Sequence, residues 1–244
     1  MIDVTKNKIL NGNITLYQPK KGFRIGIDSI LLSSSVNNYK NCLDLGSGVG
    51  VIMLSLAKRF PKSRILGVDK NRELIKISKE NVILNNLEGL NIKFFCTDIK
   101  KGKFLPELNN SFDRVVMNPP YFYQNKVVSS IDKYKSQAKY EKNIFSWFNS
   151  AYSKLKPKGH INFIFRSEFL NIALECLSNK WGDIRIFPLW PKTGKVSKLT
   201  IIQARKNSKS GVQLMSGLVL HNNDGTYTEA CKKILNNKSY IDID

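Results

Sequence analysis

With 244 residues, 42% hydrophobic and 24% charged, the chain has ordinary globular composition and enough apolar material for one α/β domain. Its longest uncharged apolar stretch, about Val49 to Ala57, is too short to cross a bilayer, and the N-terminus lacks a signal-peptide core, so a cytoplasmic protein without a membrane partner is expected. The net charge of +20, from 39 basic and 19 acidic residues, points to a polyanionic partner, because Lys and Arg gain affinity by releasing counterions from phosphates.

Short apolar runs alternate with helical patterns, which predicts repeated βα units around a mostly parallel sheet. Asn41 to Leu45 reads as the first strand and Gly50 to Phe60 as a helix. Arg64 to Val68 reads as the second strand, and Arg72 to Asn85 as a helix with Leu74, Ile77 and Leu84 inward. Ile92 to Cys96 is the third strand; Phe112 to Met117 is the fourth, running directly into Asn118-Pro119-Pro120-Tyr121. After a loop from Phe122 to about Lys135, a helix is expected through Phe145, Phe148 and Leu155 to a stop at Pro157-Lys158-Gly159. Ile161 to Phe165 reads as the fifth strand and Glu168 to Leu177 as a helix. Ile184 to Pro188 and Lys198 to Ala204 are joined by a turn too short for a crossover helix, so they should pair antiparallel. Gly217 to Leu220 and Thr228 to Leu235 read as a last strand and helix. Cys42, Cys96, Cys176 and Cys231 form no close pair, and His160 and His221 sit near none of them; buried free thiols and no metal site are expected.

The first strand closes on Asp44-Leu45-Gly46-Ser47-Gly48-Val49-Gly50. Such glycines permit tight turns and close backbone approach to a ligand at the C-terminal edge of a sheet. A dinucleotide fingerprint needs a third glycine where Val51 stands. The pattern is instead D-x-G-x-G-x-G, and an acid two residues before the first glycine suits a cationic ligand such as S-adenosylmethionine and repels a pyrophosphate. The second strand ends near Asp69, suited to accept hydrogen bonds from ribose hydroxyls. The third is followed by Asp98, suited to an adenine amino group, with Ile99 beside it. The candidate cofactor set is therefore Asp44, Gly46, Ser47, Gly48, Gly50, Asp69, Asp98, Ile99 and Asn118.

Asn118-Pro119-Pro120-Tyr121 is a stiff finger, since each residue before a proline is held extended and each proline has a fixed φ. The Asn118 side-chain oxygen and the Pro119 carbonyl can each accept one hydrogen of an –NH₂ group. An adenine or cytosine amine is a poor nucleophile because its lone pair is delocalised into the ring. Gripping both hydrogens localises that pair and aims it at an electrophile. Tyr121 is suited to stack on a flipped-out base. The catalytic candidates are Asn118, Pro119, Pro120 and Tyr121.

The ordered set Asp44-x-Gly-x-Gly-x-Gly, Asp69, Asp98 and Asn-Pro-Pro-Tyr resembles class I amino-group methyltransferases. Gly26-Ile27-Asp28-Ser29-Ile30-Leu31-Leu32 and Asp224-Gly225-Thr226-Tyr227-Thr228-Glu229-Ala230 further resemble the opening and closing segments of the bacterial tRNA adenine-N6 methyltransferase family, which modifies the adenosine beside the anticodon of a valine tRNA. The resemblance spans roughly Arg24 to Ala230. It implies a Rossmann-like α/β fold with a seven-stranded, mostly parallel sheet, an antiparallel last strand and helices on both faces. It also implies that residues 1–40 cover the cofactor and that Asp28 joins the cofactor set; the length leads to the expectation of a single domain, and a monomer is favoured with the oligomeric state left open.

Ala138-Lys139-Tyr140 stands where Ala-Arg-Tyr would be closer to the family pattern, and Lys cannot reproduce a bidentate Arg grip. The loop bearing Tyr123, Lys126, Lys133, Tyr134, Lys135, Lys139 and Tyr140 interleaves aromatics with cations and reads equally as a surface that stacks bases and holds phosphates of a tRNA partner or as a solvated loop. Pro191-Lys192-Thr193-Gly194-Lys195 reads first as a plain hairpin turn and second as a basic contact near the same sheet edge. Three alternatives stay open: a guanine-N2 rRNA methyltransferase, a protein glutamine methyltransferase, and a non-catalytic RNA-binding protein. The segment ahead of Asp44 is too short for the helical domain that glutamine methyltransferases usually carry.

Overall fold

The computed structural model describes residues 3–21, 25–100, 104–120 and 144–243. Tyr121, the aromatic and lysine-rich loop through Tyr140, and Arg24 lie outside them.

The chain opens with an antiparallel hairpin, β1 (Val4–Ile9) and β2 (Ile14–Pro19), which the apolar pattern did not disclose. It is followed by α1 (Ile27–Ser34), β3 (Asn41–Leu45), α2 (Val51–Arg59), β4 (Arg64–Asp69), α3 (Arg72–Leu84), β5 (Ile92–Cys96) and β6 (Phe112–Met117). A helix at 144–154, here α4, leads into β7 (Leu155–Arg166), α5 (Leu170–Leu177), β8 (Trp181–Trp190), β9 (Leu199–Lys206), β10 (Val212–Leu214), β11 (Leu218–Val219) and α6 (Glu229–Leu235).

Seven strands run β5-β4-β3-β6-β7-β9-β8, all parallel except β9, which is antiparallel to both neighbours. This is the seven-stranded sheet expected, extended to nine by β10 and β11, which both pair parallel to β8. Strand order reverses at β3, which lies between β4 and β6, so a crevice opens beyond the C-terminal ends of these strands.

Helices cover both faces. On one, Leu31, Leu32, Ile52, Met53 and Leu56 of α1 and α2 pack with Cys231 and Ile234 of α6. On the other, Trp147, Phe148 and Ala151 of α4 meet Phe163, Phe165 and Ile172. Phe112, Phe148 and Phe163 are fully buried, and each such side chain stabilises the fold by roughly 1.5–3 kcal/mol.

Three local expectations are corrected. The buried face of α3 is Ile75, Ile77, Ser78, Asn81 and Val82, with Leu74 and Leu84 only half-buried. Asn81 of α3 and its C-cap Asn85 read the backbone of β2 as a strand would: Asn81 Oδ1 accepts from Tyr17 N at 2.6 Å and its Nδ2 donates to Tyr17 O at 3.0 Å, while Asn85 Oδ1 accepts from Thr15 N at 3.0 Å. Second, Pro157-Lys158-Gly159 does not stop a helix in solvent but forms a bulge inside β7. Register moves from Phe112–Leu155 to Arg114–His160, with Lys158 at a left-handed φ of 66°. Third, Cys42 and Cys231 are buried free thiols, but Cys96 is exposed, because β5 is an edge strand.

Candidate active site

The glycine loop follows β3 at the point where strand order reverses. Gly46 N and Ser47 N both donate to Val68 O, at 2.8 and 2.9 Å, which folds the loop back across the end of β4. Gly46 has a φ of 73°, and a Cβ there would lie 2.4 Å from Cη2 of Trp147. Only glycine satisfies both conditions. Gly50, with φ 90°, is the N-cap of α2.

Asp44 lies beneath this loop, 1% exposed, and neither carboxylate oxygen has a hydrogen-bond partner among the described residues. The Ser47 hydroxyl beside it is likewise buried and unpartnered. Burial first, and the nearby Asp69 carboxylate second, push the Asp44 carboxyl up to about 8. A buried acid in this condition calls for a cation or strong donors.

Asp69 sits one strand over. Its Oδ2 accepts from Gly48 N at 3.0 Å and its Oδ1 from Asn71 N at 2.8 Å, so both oxygens are held in fixed directions. Capping of α3 falls to Asn71, whose side chain accepts from Glu73 N and Leu74 N. Asp98 follows β5 and is turned locally by Lys100 N, which donates to its Oδ1 at 3.0 Å.

A cleft of about 370 Å³ runs between these strand ends. Of the residues expected from sequence, Gly46, Gly48, Asp69, Asp98, Ile99, Asn118 and Pro120 line it. A smaller cavity of about 60 Å³ adjoins it, with Ser47, Gly48 and Asn118 on one side and Gln18, Ile25 and Ser29 on the other. Asp44 and Gly50 underlie the loop without lining either space, and Pro119 is buried. Asp28 is half-buried in the first turn of α1 and lines neither cavity; its neighbour Ser29 does.

Asn118 is half-buried at the end of β6, and its Nδ2 donates to Ser29 Oγ at 3.3 Å. Trp147, 9% exposed, forms a wall of the main cleft and is a site residue that the sequence reading missed. Its signal was available in the apolar spacing Ile144, Trp147, Phe148, Ala151, which is one helix face. Phe145, on the same helix, is only half-buried.

The Asp224-to-Ala230 segment makes a turn and a helix cap. Asp224 Oδ1 accepts from Thr226 N and Oγ1, Tyr227 stacks on His221, and Thr228 Oγ1 caps α6 through Cys231 N.

The model of the methyltransferase small domain family matches residues 24–185. The chain belongs to the methyltransferase small domain family. A curated relative, the tRNA1(Val) (adenine(37)-N6)-methyltransferase of Haemophilus influenzae (strain PittGG), is 29% identical over 221 residues, 89% of this chain and 91% of the relative. Among solved structures, a predicted O-methyltransferase from Agrobacterium tumefaciens superposes with a TM-score of 0.74 at 19% identity, covering 88% of this chain and 98% of that one. The T. thermophilus 16S rRNA N2 G1207 methyltransferase, in complex with AdoMet and guanosine, gives a TM-score of 0.57 at 19% identity over 84% of this chain and 50% of that one. Both likenesses concern the fold.

As a methyltransferase of this family the chain uses S-adenosylmethionine, and its residues fit that cofactor. The unpartnered Asp44 carboxylate suits a cationic amino-acid tail, the oriented oxygens of Asp69 suit a ribose diol, and Asp98 with Ile99 suits an adenine edge and face. Among the described residues no group of three or more His, Cys, Asp or Glu is arranged to hold a metal, and no helix is long and apolar enough to cross a membrane.

Proposed function

We propose that this methyltransferase modifies the exocyclic N6 amino group of an adenosine in tRNA, at the position beside the anticodon, in the cytoplasm. The observation that carries the reading is Asn118, on the wall of the cofactor cleft with its amide nitrogen turned to Ser29. That orientation, with the side-chain nitrogen toward α1, supports Oδ1 as the acceptor for the substrate amine.

The bound cofactor supplies an electrophilic methyl group on a sulfonium. Asn118 Oδ1 and the Pro119 carbonyl each accept one hydrogen of the incoming amine, localising its lone pair and fixing its direction. No strong base is needed before attack, because the methylated nitrogen loses its proton readily afterwards. Asp44, Asp69 and Asp98 hold the cofactor, with Gly46, Ser47, Gly48 and Gly50 giving backbone access. Tyr121 stacks on the base. We read the chain as one catalytic domain whose first forty or so residues cover the cofactor, a reading supported by Gln18, Ile25 and Ser29 lining the cavity beside the glycine loop. The adenine and tRNA assignments rest on the names of the curated relatives and on the net charge of +20.

The test is incubation with total unmodified tRNA and labelled cofactor, followed by nucleoside mass spectrometry. N6-methyladenosine in valine tRNA is the expected product. A methylated guanosine, or label in protein, overturns the substrate assignment in favour of one of the rival methyltransferase classes.

A further inference from the structure

The turn joining β8 to β9, residues 191–198, reads Pro-Lys-Thr-Gly-Lys-Val-Ser-Lys and contains three cations and no acid. Because β9 is antiparallel to both β7 and β8, β8 runs in the same direction as β6. The turn therefore stands at the sheet edge where Asn118 leaves β6.

Register fixes how far the turn stands from that residue. Met117 is level with Phe163, Phe163 with Ile202, and Ile202 with Ile186, so β8 continues four residues beyond the level of Met117 before the turn begins. At about 3.3 Å per residue and about 4.8 Å per strand, the turn overhangs Asn118 by roughly 10 Å and lies about 12 Å to its side. The resulting separation, about 16 Å, equals four to five steps of a stacked strand at about 3.4 Å each.

The turn is rigidly mounted. Lys195 N donates to Lys192 O, Ser167 N donates to Lys198 O, and Ser197 Oγ donates to Leu189 O at 3.1 Å. Lys192 Nζ donates to Asn223 O at 2.9 Å, which locks the turn to its neighbour at 222–226. The adjacent acids are already engaged, Glu168 with Arg166 and Asp224 with Thr226. Among the described residues neither the Lys195 nor the Lys198 ammonium has a carboxylate partner. Between them Val196 is 85% exposed, the most exposed large apolar side chain of the described residues. A preformed loop that presents two lysines around a bare valine matches a sugar-phosphate strand, with phosphates for the cations and an apolar sugar or base face for the valine.

We infer that turn 191–198 is an RNA-backbone contact that holds the substrate strand four to five nucleotides from the base at Asn118, with Lys195 and Lys198 on phosphates. This rests on the RNA reading above and names the surface that serves it.

The experiment measures fluorescence anisotropy of labelled, unmodified tRNA against salt, for the wild type, Lys195→Ala/Lys198→Ala and Lys195→Arg/Lys198→Arg. Losing two phosphate contacts should lower the slope of log K on log salt by about 1.5–2 and weaken binding about tenfold or more at physiological salt. The Arg pair should restore both. S-adenosylmethionine affinity and the thermal midpoint should stay unchanged in all three. Wild-type binding with an unchanged slope in the Ala pair refutes the turn while leaving the RNA reading intact. Absence of tRNA binding by the wild type overturns the RNA reading itself, and the turn with it.

Discussion

Asn118 at the end of β6 and Ser29 on α1 are joined by a hydrogen bond, Nδ2 to Oγ, at 3.3 Å. The helix that carries Ser29 is itself anchored: Ser34 O accepts from Ile241 N and Arg59 Nη1, and Ser35 O accepts from Asn162 Nδ2. Ser29 thereby transmits the rigidity of α1 to the amide that is proposed to grip the substrate amine. Asn118→Ala should abolish methyl transfer while leaving cofactor affinity nearly intact. Ser29→Ala should lower kcat about five- to tenfold, the equivalent of one ordinary hydrogen bond of about 1–1.4 kcal/mol. Ser29→Ala should leave cofactor Kd unchanged. A loss of cofactor affinity in place of the loss in kcat would mean that Ser29 does not act through Asn118.

Asp44 is expected to couple cofactor binding to pH. Burial and Asp69 raise its carboxyl to about 8, so near neutral pH the cofactor-free site holds the protonated form. A cationic ligand favours the carboxylate, hence affinity should rise with pH by up to about tenfold per unit and level off above pH 8. The same shift affects folding with the opposite sign. Between its ordinary value of 3.8 and about 8 the folded state binds this proton more tightly than the unfolded one, so the cofactor-free protein loses stability as pH rises through that window. Asp44→Asn should remove the pH dependence of cofactor binding, weaken binding above pH 8, and raise the melting temperature of the cofactor-free protein there. Calorimetry at several pH values with parallel thermal scans measures all three, and a pH-independent wild type would refute the coupling.

Gly46 and Trp147 occupy the same space from opposite sides. Gly46→Ala forces a Cβ to within 2.4 Å of the indole at a φ of 73°, so the loop must move. The variant should fold with a stability loss of about 1–3 kcal/mol and lose most of its affinity for S-adenosylmethionine. Pairing it with Trp147→Leu makes room for the methyl group, and the double variant should be more stable than Gly46→Ala alone. Chemical denaturation of the four proteins gives the coupling energy; strict additivity would show that the contact does not limit the loop.

How much of this was readable beforehand follows from which forces are local. The bounds of β3 and β6 match the runs Asn41–Leu45 and Phe112–Met117, because a parallel strand buried on both faces is mostly apolar, here through Cys42, Leu43 and Leu45 and through Phe112, Val115, Val116 and Met117, and turn residues end it sharply. The acids Asp44, Asp69 and Asp98 are legible for the same reason, since each follows or closes such a run. Trp147 was legible only as an apolar position on the face shared with Ile144, Phe148 and Ala151; that it walls the cleft depends on the rotational phase of α4, set by packing with Phe163 and Gly46. The bulge at Pro157 to Gly159, where β7 begins sooner than the apolar run does, was not legible. Lys154 and Lys206 are harder still: both are nearly buried, their ammonium groups held by carbonyls of Leu105, Tyr152 and Leu155, and nothing in their neighbours in sequence signals this.

The N-terminal hairpin is the clearest case of a long-range cause, and it yields a test of what that segment does. Its turn uses left-handed residues Leu10, Asn11 and Gly12, and β2 is fixed by side chains more than sixty positions away. Asn81 supplies an acceptor and a donor to Tyr17 and a donor to Val49 O, next to the glycine loop. Asn81→Ala leaves those buried backbone groups unsatisfied, at a cost of about 1–3 kcal/mol. Hydrogen exchange at Thr15 and Tyr17 should quicken strongly, while amides of β3, β6 and β7 keep their protection. Since Gln18 and Ile25 line the cavity beside Ser47 and Gly48, loosening this segment should also weaken cofactor binding several-fold. Faster exchange at Tyr17 with unchanged cofactor affinity would separate the two effects, and would show that the hairpin braces α3 without covering the cofactor.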